Sequence, residues 1–309
     1  MRLNPSRIQR VLVAIATYRR PEELARLLDS LDAQRVADGR DVRVVVVDND
    51  PLGSARRVCE GRSLPPIYDH EPEPGISAAR NRGVSHRGDA SAVAFIDDDE
   101  IAAPHWLESL IRVAESTGAH VVSGPVVPTF PTSAPKWIVR QGWFTRPGYK
   151  TGQRVKWPAT NNSLVQREVL DALGPDPFDR RFALTGGEDA DFFDRSRSLG
   201  AVMLWSAEAT VTEPVDESRL SMKWLWQRNV RLGNISGINL RKRHSAPYVL
   251  AVGLARSFVG AVAALPVLIF APHQGGRVIG NLPRGVGTIG VIFGARVIEY
   301  ARATGEERP

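Results

Sequence analysis

Four consecutive acids follow an apolar run at residues 92–100, AVAFIDDDE. The apolar and β-branched residues predict a buried strand, so the acids would lie at the strand's carboxyl end, where open α/β sheets place their ligands. Four adjacent like charges repel one another and need either a cation or a solvated loop. Asp97 and Asp99 form a D-x-D pair whose oxygens suit Mg²⁺ or Mn²⁺ shared with substrate phosphates. The alternative is a solvated acidic turn before a helix that starts near Pro104.

A second group of acids lies in the sequence GGEDADFF, residues 186–193. Gly186 and Gly187 precede a predicted helix and allow the backbone to approach a substrate closely. The first turn of that helix holds three further acids, Glu188, Asp189 and Asp191. Because the helix dipole favours acids in a first turn, their position alone assigns no function to any one of them.

The elements that position these acids alternate between strand and helix. Leucines at 24, 27, 28 and 31, after Pro21, have the spacing of an amphipathic helix. The predicted strands are 11–16, 42–47, a short one near Ile67, 92–96 and 121–122, and further helices are 76–86 and 104–116. This alternation predicts a mostly parallel sheet with helices on both faces. Neither G-x-G-x-x-G nor a Walker sequence is present, so a bound nucleotide would depend on carboxylates and a metal.

The pattern changes at residues 125–158, which are rich in proline and glycine and contain Trp137, Trp143 and Trp157. We predict a long loop region here, and such loops are often functional. Regular structure is predicted to resume with strands at 160–165, 202–205 and 209–212, the helix that follows Gly187, and a basic helix at 219–231.

The composition is that of an ordinary folded protein. With 309 residues, 43% hydrophobic and 24% charged, the chain has room for one large or two small domains. A single cysteine, Cys59, excludes an internal disulfide framework, and the six histidines show no zinc-binding pattern. The N-terminus leads into the first strand without the apolar core of a signal peptide, so secretion is not expected.

The charge is distributed unevenly. Residues 1–218 contain 27 Lys/Arg against 31 Asp/Glu, whereas residues 219–309 contain 13 against 3. A basic tail suits nucleic acid or an anionic membrane, and the apolar runs 248–271 and 286–298 favour the membrane over nucleic acid. We predict a membrane-embedded or interfacial hairpin, with the cations at 241–243 on its cytoplasmic side. The alternative is a buried helix pair that packs on the soluble domain.

Five elements occur in a fixed order: TYRRP, VDND, PGISAARNRG, FIDDDE and GGEDADF. In this combination the sequence resembles the family 2 glycosyltransferases with the GT-A fold over residues 9–235. Through TNNSLV, PFDRRFALTGGEDADFF and VTEPV it resembles the succinoglycan-type bacterial exopolysaccharide glucosyltransferases. The resemblance implies a nucleotide-sugar-binding half at 1–125 and an acceptor-binding, catalytic half at 126–235. A membrane-associated helical tail would follow at 236–309.

The resemblance also implies how a donor would be held. The family transfers a sugar from a nucleoside diphosphate to an acceptor hydroxyl, and the departing diphosphate needs a divalent cation. Mn²⁺ or Mg²⁺ would bind Asp97 and Asp99, and Asp98 would face the donor ribose. Glu213, where many relatives have histidine, is either a further metal ligand or only a strand-end acid. The other implied donor-binding residues are Thr17, Arg19, Asp48, Arg80 and Asn81.

Two of these donor assignments have simple structural alternatives. Asp48 would accept a hydrogen bond from the nucleotide base, in a pattern that suits uracil, but an aspartate in VDND can equally form an Asx turn. Arg80 would lie near the nucleotide, but an arginine on a helix can equally be a surface charge.

On the acceptor side, the resemblance makes Asp189 the general base and Glu188 the second choice, with Asp191 in support. A single displacement by the acceptor hydroxyl would invert the anomeric centre. The tryptophans of residues 125–158 either stack on acceptor sugars or anchor the loop. QRNVR does not reproduce the Q-x-x-R-W motif of processive synthases, which favours addition of one sugar per encounter. Further residues expected to contact the acceptor or diphosphate are Asn162, Trp143, Arg219, Arg228 and Arg231.

The expected protein is therefore an inverting, metal-dependent glycosyltransferase at the cytoplasmic face of the membrane. Its donor would be a UDP-sugar and its acceptor a polyprenyl-linked glycan. One alternative is an inactive scaffold of a polysaccharide assembly complex. Another is a nucleotidyltransferase, which normally has a glycine-rich phosphate loop that TYRRP does not provide.

Overall fold

The computed structural model describes residues 7–37, 39–62, 65–145, 148–156, 158–183 and 186–295. They form two compact units, the first from residues up to Val127 and Arg146–Glu213, the second from Pro128–Thr145 and the described residues from Pro214 onward. These boundaries differ from those predicted at 125 and 235, because the segment Pro128–Thr145 packs with the C-terminal helices. The functional division into donor, acceptor and membrane parts stays a prediction.

Ten strands are described, and seven of them form the main sheet in the order β3-β2-β1-β4-β8-β6-β9. All its strands are parallel except β8, which is antiparallel to both neighbours. The predicted α/β class with a mostly parallel sheet is thereby confirmed. The strands are β1 (Arg10–Thr17), β2 (Asp41–Asp48), β3 (Ile67–His70), β4 (Ala92–Ile96), β5 (Ile101–Ala102), β6 (Val121–Ser123), β7 (Val126–Thr129), β8 (Asn162–Gln166), β9 (Met203–Trp205) and β10 (Val211–Pro214).

Twelve α-helices are described, and those of the first unit cover both faces of the sheet. Along β1, Val13 and Ile15 join a core with α1 and α4, while Leu12 and Ala14 join a second core with α3, α6 and α7. The helices are α1 (Pro21–Asp32), α2 (Arg56–Cys59), α3 (Ile76–Ser85), α4 (Trp106–Thr117), α5 (Lys136–Arg140), α6 (Arg167–Leu173), α7 (Glu188–Ser198), α8 (Met222–Arg241), α9 (Ala246–Val262), α10 (Ala264–Phe270), α11 (Gly275–Ile279) and α12 (Asn281–Gly290).

The strand order places the acids at a switch point of the sheet. From β1 the chain continues to β2 on one side, and it returns by way of β3 to pair β4 on the other side of β1. In open α/β sheets the crevice at such a reversal, outside the carboxyl ends of the strands, is where ligands bind. The run Asp97–Glu100 follows β4 directly and so lies in that crevice.

Two sequence predictions need correction. The region 125–158 is not only loop, since it contains β7 and α5. The basic helix begins at Met222, where the Ser221 side chain accepts the Trp224 N–H as a cap, and it continues to Arg241. Arg219 instead lies in a 3₁₀ turn before it. Beyond the predicted end, Gly233 allows α8 to pack closely against α12, since a Cβ on Gly233 would lie 2.0 Å from the Arg284 carbonyl oxygen.

The predicted 24-residue apolar run of the tail is divided between two helices. Among the described residues no single helix is long and apolar enough to cross a bilayer. Helices α9 and α10 together are long and apolar enough, but the chain bends by 46° between them. The second predicted apolar run forms part of α12 and a 3₁₀ turn at Val291–Phe293, and its last three residues lie outside the described residues. The membrane hairpin stays a prediction.

Candidate active site

The middle acid of the run after β4 is tied to β1 and to the start of α1. Asp98 is buried, and its Oδ2 accepts a 2.8 Å hydrogen bond from the Thr17 hydroxyl. Its Oδ1 lies 3.0 Å from Arg20 Nη1, and the same nitrogen lies 3.0 Å from Asp99 Oδ2. Both Asp98 oxygens are thus engaged within the protein, which argues against the ribose contact predicted for Asp98. The Thr17 hydroxyl is likewise engaged by the protein, although Thr17 lies at the site as expected.

Arg20 is a site residue that the sequence analysis missed in favour of Arg19. Arg19 has a positive φ of 55°, uncommon for a residue other than glycine, and its Nε lies 3.2 Å from Asp50 Oδ1. Arg20 precedes Pro21, and a proline disfavours helical backbone at the residue before it. Arg20 accordingly has φ −135° at the start of the helix. No local signal distinguishes Arg20 from Arg19, because the carboxylates that Arg20 meets lie 78 and 79 residues away in the sequence.

Arg80 joins the two acidic motifs. Its Nη1 is hydrogen-bonded to Glu188 Oε1, and its Nη2 lies 3.2 Å from Asp97 Oδ1. The Arg80 side chain is only 10% exposed, so the alternative of a surface helix charge is wrong. Asp189 also lies close enough to Asp97 to disfavour its charge. The D-x-D and E-D motifs therefore share one site, as the predicted chemistry requires.

Asn81 holds the chain that leads into the E-D motif rather than pointing at a nucleotide. Its amide donates to the Phe178 carbonyl and accepts from the Phe178 N–H, both at 2.8 Å. One turn earlier, the Ser77 hydroxyl donates to the Asp179 carbonyl at 3.0 Å. Gly75, with φ 120°, lets the start of α3 approach this same segment closely, because a Cβ on Gly75 would lie 2.6 Å from Ala183 Cβ. The predicted donor contact of Asn81 is therefore unsupported by the geometry.

Asp48 forms the Asx turn that was its alternative. It is fully buried, and Oδ1 accepts the Asp50 N–H at 2.9 Å. Its Oδ2 accepts the Ala55 N–H at 2.8 Å and the Tyr68 hydroxyl at 3.1 Å. These three hydrogen bonds leave Asp48 shaping the loop after β2, and they argue against direct contact with a nucleotide base.

Negative charge accumulates in this site, and the pKa values of the acids reflect it. Burial raises the pKa of Asp98 to about 6, although Arg20 opposes the shift. Burial also raises the pKa of Glu188, with Asp189 and Asp97 adding to the effect against Arg80. For Asp97, desolvation and the neighbouring Asp99 and Asp189 raise the pKa. Among the described residues, Glu188 Oε2 is buried without a hydrogen-bond partner. Such a site favours the binding of a cation.

Glu100 fixes the backbone of the acidic run. It is 1% exposed, and its Oε2 accepts the Asp97 N–H at 3.0 Å while its Oε1 accepts the Asn161 amide at 3.0 Å. Burial, then the charges of Asp97 and Glu213, raises the Glu100 pKa well above its usual range. Glu213 thus lies near the acidic turn. No group of three or more His, Cys, Asp or Glu in the described part of the chain is arranged to hold a metal.

A cavity of about 360 Å³ opens beside Asp189 in the first unit. Its walls combine aromatic and polar side chains, a combination typical of ligand pockets. The Tyr149 and Trp205 rings lie 5.4 Å apart, and Asp194 pairs with Arg197 at 3.7 Å. Asp189 and Asn162 were predicted as site residues, whereas the other cavity residues come from separate strands and loops and carry no common sequence signal. The principal polar and aromatic residues of its wall are Asp189, Asn161, Asp194, Arg197, Tyr149 and Trp205.

Two of the predicted acceptor residues have structural partners instead. The Asn162 amide donates to the Ala209 carbonyl at 2.7 Å, and its oxygen accepts the Trp106 indole N–H at 2.8 Å. Asn162 therefore joins strand ends and has little capacity left for an acceptor. Asp191 accepts from Arg195 Nε at 2.7 Å, an i,i+4 pair within α7.

The other predicted acceptor and diphosphate residues lie in the second unit. The Arg228 guanidinium lies over the rings of Phe144 and Trp224, at 5.1 and 5.4 Å from their centroids. Trp143 donates its indole N–H to the Gln141 side chain at 2.9 Å, so it anchors its loop. Trp157 lies outside the described residues. The remaining predicted residues of this unit are Arg219, in the 3₁₀ turn before α8, and Arg231, within α8.

Comparison with known proteins decides the family. The model of the family described as "Glycosyl transferase family 2" matches residues 12–173, which is more than half of the chain. The chain belongs to glycosyltransferase family 2. This family 2 glycosyltransferase is therefore an enzyme that transfers a sugar to an acceptor, and its mostly parallel sheet fits the GT-A fold. The nucleotidyltransferase alternative is wrong.

Three curated relatives extend the match beyond the family domain. The glycosyltransferase is 38% identical to succinoglycan biosynthesis protein ExoM of Rhizobium meliloti (strain 1021), over 86% of this chain and 87% of the relative. It is 30% identical to glucosyl-dolichyl phosphate glucuronosyltransferase of Haloferax volcanii, over 70% of this chain and 72% of the relative. It is 26% identical to glycosyltransferase AglE of the same organism, over 66% of each chain. The predicted resemblance to the succinoglycan-type enzymes is confirmed.

Proposed function

We propose that this family 2 glycosyltransferase transfers one sugar from a nucleoside diphosphate sugar to a glycan hydroxyl, with inversion. One observation carries the proposal: Arg80 connects Asp97 of the D-x-D motif to Glu188 of the E-D motif at the switch point of the sheet. The donor would bind above the strand ends, and the acceptor would enter the cavity beside Asp189. The relatives' roles in glycan synthesis support this acceptor class.

Asp189 is better placed than Glu188 to act as the general base. Asp189 lines the cavity in which an acceptor hydroxyl would lie, so its carboxylate can take the hydroxyl proton. Glu188 is 4% exposed, and one of its oxygens is already bound to Arg80. We assign Glu188 to the positioning of Arg80, which keeps the D-x-D and E-D motifs next to each other.

The residues after β4 fit a divalent cation. Asp97 is 41% exposed and Asp99 16%, so both carboxylates can be reached from the crevice, and desolvation raises the pKa of Asp97. Mg²⁺ and Mn²⁺ commonly take one or two carboxylates and complete their shell with water and substrate phosphates, so a third protein ligand is not required. Asp97 and Asp99 would hold the ion, and when bound it supplies positive charge for the departing diphosphate.

Replacing Asp99 with asparagine is expected to lower nucleoside diphosphate release by about 100-fold and to remove the thermal stabilisation by Mn²⁺. Purified protein would be tested with Mn²⁺ and a panel of nucleotide sugars, with differential scanning fluorimetry as the binding measurement. Asp89→Asn is the matched control, because Asp89 is 59% exposed and pairs only with surface arginines in the described chain. Unchanged Mn²⁺ stabilisation in the Asp99 variant would exclude Asp99 as a ligand.

We further propose that the acceptor is a lipid-linked glycan and that the enzyme acts at the cytoplasmic face of the membrane. A relative acts, by its name, on a glucosyl-dolichyl phosphate, which is a lipid-linked sugar. Helices α9 and α10 expose a series of large apolar side chains, of which Phe258 is 67% and Phe270 84% accessible. An exposed apolar face of this kind marks an interaction site, and cations at 241–243 precede it.

The double substitution Phe258→Ser and Phe270→Ser is expected to weaken binding to anionic vesicles at least tenfold, since each buried phenylalanine contributes about 2 kcal/mol. Vesicle sedimentation of the purified full chain measures the partition. Leu52→Ser is the control, because Leu52 is 82% exposed but lies in the first unit. Equal vesicle binding by the phenylalanine and Leu52 variants would place the membrane contact elsewhere or exclude it.

A further inference from the structure

The C-terminal helices carry three arginines, Arg256 on α9, Arg277 on α11 and Arg284 on α12, and the Thr288 hydroxyl contacts both Arg256 and the Arg284 carbonyl. From Arg219 to Ala295 the sequence contains ten Lys/Arg and no Asp or Glu. These helices therefore supply no carboxylate that could neutralise the group. Buried or half-buried arginines are normally paired with acids, so this group needs another explanation.

The hydrogen bonds of two of these arginines place them in the space between α8, α9 and α12. Arg256 Nη1 donates to Ser236 Oγ at 2.9 Å and to Thr288 Oγ1 at 3.3 Å. Arg284 Nε donates to Asn229 Oδ1 at 2.8 Å. Their partners are neutral oxygens, which orient each guanidinium without cancelling its charge. Both arginines are half-buried.

The Arg284 charge is near enough to both other arginines to be repelled by them. Burial, followed by the charges of Arg256 and Arg277, lowers the pKa of Arg284. Arg277 is exposed, so the group runs from the surface into the helical unit. Among the described residues, hydrogen bonds use only Nη1 of Arg256 and Nε of Arg284, and each guanidinium carries five N–H donors. Donors thus remain for an anion that would also relieve the repulsion.

We propose that Arg256, Arg277 and Arg284 bind the phosphate or diphosphate head group of a membrane lipid. Guanidinium groups suit this role because their planar N–H pairs match two phosphate oxygens at once. The lipid source is favoured over a soluble phosphate because Val259, one turn along α9 on the face of Arg256, is 49% accessible, so a hydrocarbon chain can lie beside the head group. This inference depends on the proposed membrane association and is independent of sugar transfer.

The test uses the purified full chain without a sugar donor, so a failure of the proposed catalysis does not affect it. Binding is measured to phosphatidylcholine vesicles that contain either polyprenyl diphosphate or phosphatidylglycerol at matched charge, and to inorganic pyrophosphate in solution. Arg284→Gln is expected to weaken binding to at least one lipid by tenfold or more, and Arg284→Lys by less. Arg57→Gln, which removes the same charge from an exposed position in the first unit, is expected to change it less than threefold.

The two lipid arms identify the source. A loss confined to polyprenyl diphosphate assigns the site to a lipid carrier, and a loss in both lipid arms assigns it to phospholipid head groups generally; either supports the proposal. A loss seen only with inorganic pyrophosphate, or equal losses in the Arg284→Gln and Arg57→Gln variants, overturns it. Thermal unfolding without lipid separates binding from structure: a binding site predicts unchanged or higher stability for Arg284→Gln. Lower stability with unchanged lipid affinity also overturns the proposal. Arg256→Gln provides the same readouts if Arg284→Gln does not fold.

Discussion

Replacing Asp189 with asparagine is expected to lower the rate of sugar transfer by 10²- to 10⁴-fold, roughly the contribution of a positioned general base. Asp189 lies at the start of α7 on the wall of the cavity, and its charge acts on Asp97 of the D-x-D motif. Asparagine keeps the shape of the side chain but cannot accept the acceptor proton. Single-turnover transfer with excess enzyme measures the step, and calorimetric titration with the nucleotide sugar should show donor affinity within about threefold of the wild type.

Asp194→Asn is the matched control for the Asp189 variant. It removes a carboxylate from the same helix and the same cavity, but one that is paired with Arg197. We expect this change to raise KM for the acceptor while kcat stays within about threefold. Transfer at the wild-type rate by Asp189→Asn would remove Asp189 from the role of base, and Glu188→Gln would then be the variant to examine.

Replacing Arg80 with methionine is expected to lower the free energy of unfolding by about 3–5 kcal/mol at neutral pH, the usual cost of removing one partner of a buried ion pair. Arg80 is 10% exposed and Glu188 5% at their side chains, so the variant leaves the Glu188 carboxylate buried without its cation. A loss of this size is a large share of the stability of a typical domain. Urea denaturation followed by circular dichroism measures it.

The double variant Arg80→Met with Glu188→Gln tests the cause of that loss. Because the second change removes the unpaired charge, we expect it to restore at least half of the lost stability. Arg82→Met is the control on the same helix: Arg82 is 47% exposed in its pair with Asp69, and exposed pairs contribute at most about 1 kcal/mol. The assignment of Arg80 as the link between the motifs fails if Arg80→Met costs no more than Arg82→Met, or if the double variant is as unstable as the single one.

Local patterns in the sequence determined the sheet and the position of the acids. The run AVAFI became the fully buried strand β4, and the leucine spacing after Pro21 became the buried face of α1. These features are predictable because burial of a strand or of one helix face depends on residues within a few positions of each other. The order of the acidic motifs was also sufficient to indicate the family.

The partners of individual polar side chains were decided only by the tertiary structure. Asn81 and Asn162 have the residue types of ligand contacts, yet their amides bind the backbone of segments 97 and 47 residues away in the sequence. Arg80 was predicted to lie near the nucleotide, with a surface helix charge as the alternative, and it meets Glu188 at a separation of 108 residues. The three arginines of the C-terminal helices likewise come together only when α9, α11 and α12 pack. The sequence alone could therefore indicate which residues have the side chains for a given kind of chemistry. The role of each polar side chain depends on its hydrogen-bond and ion-pair partners, which are distant in the sequence, and only folding determines these partners.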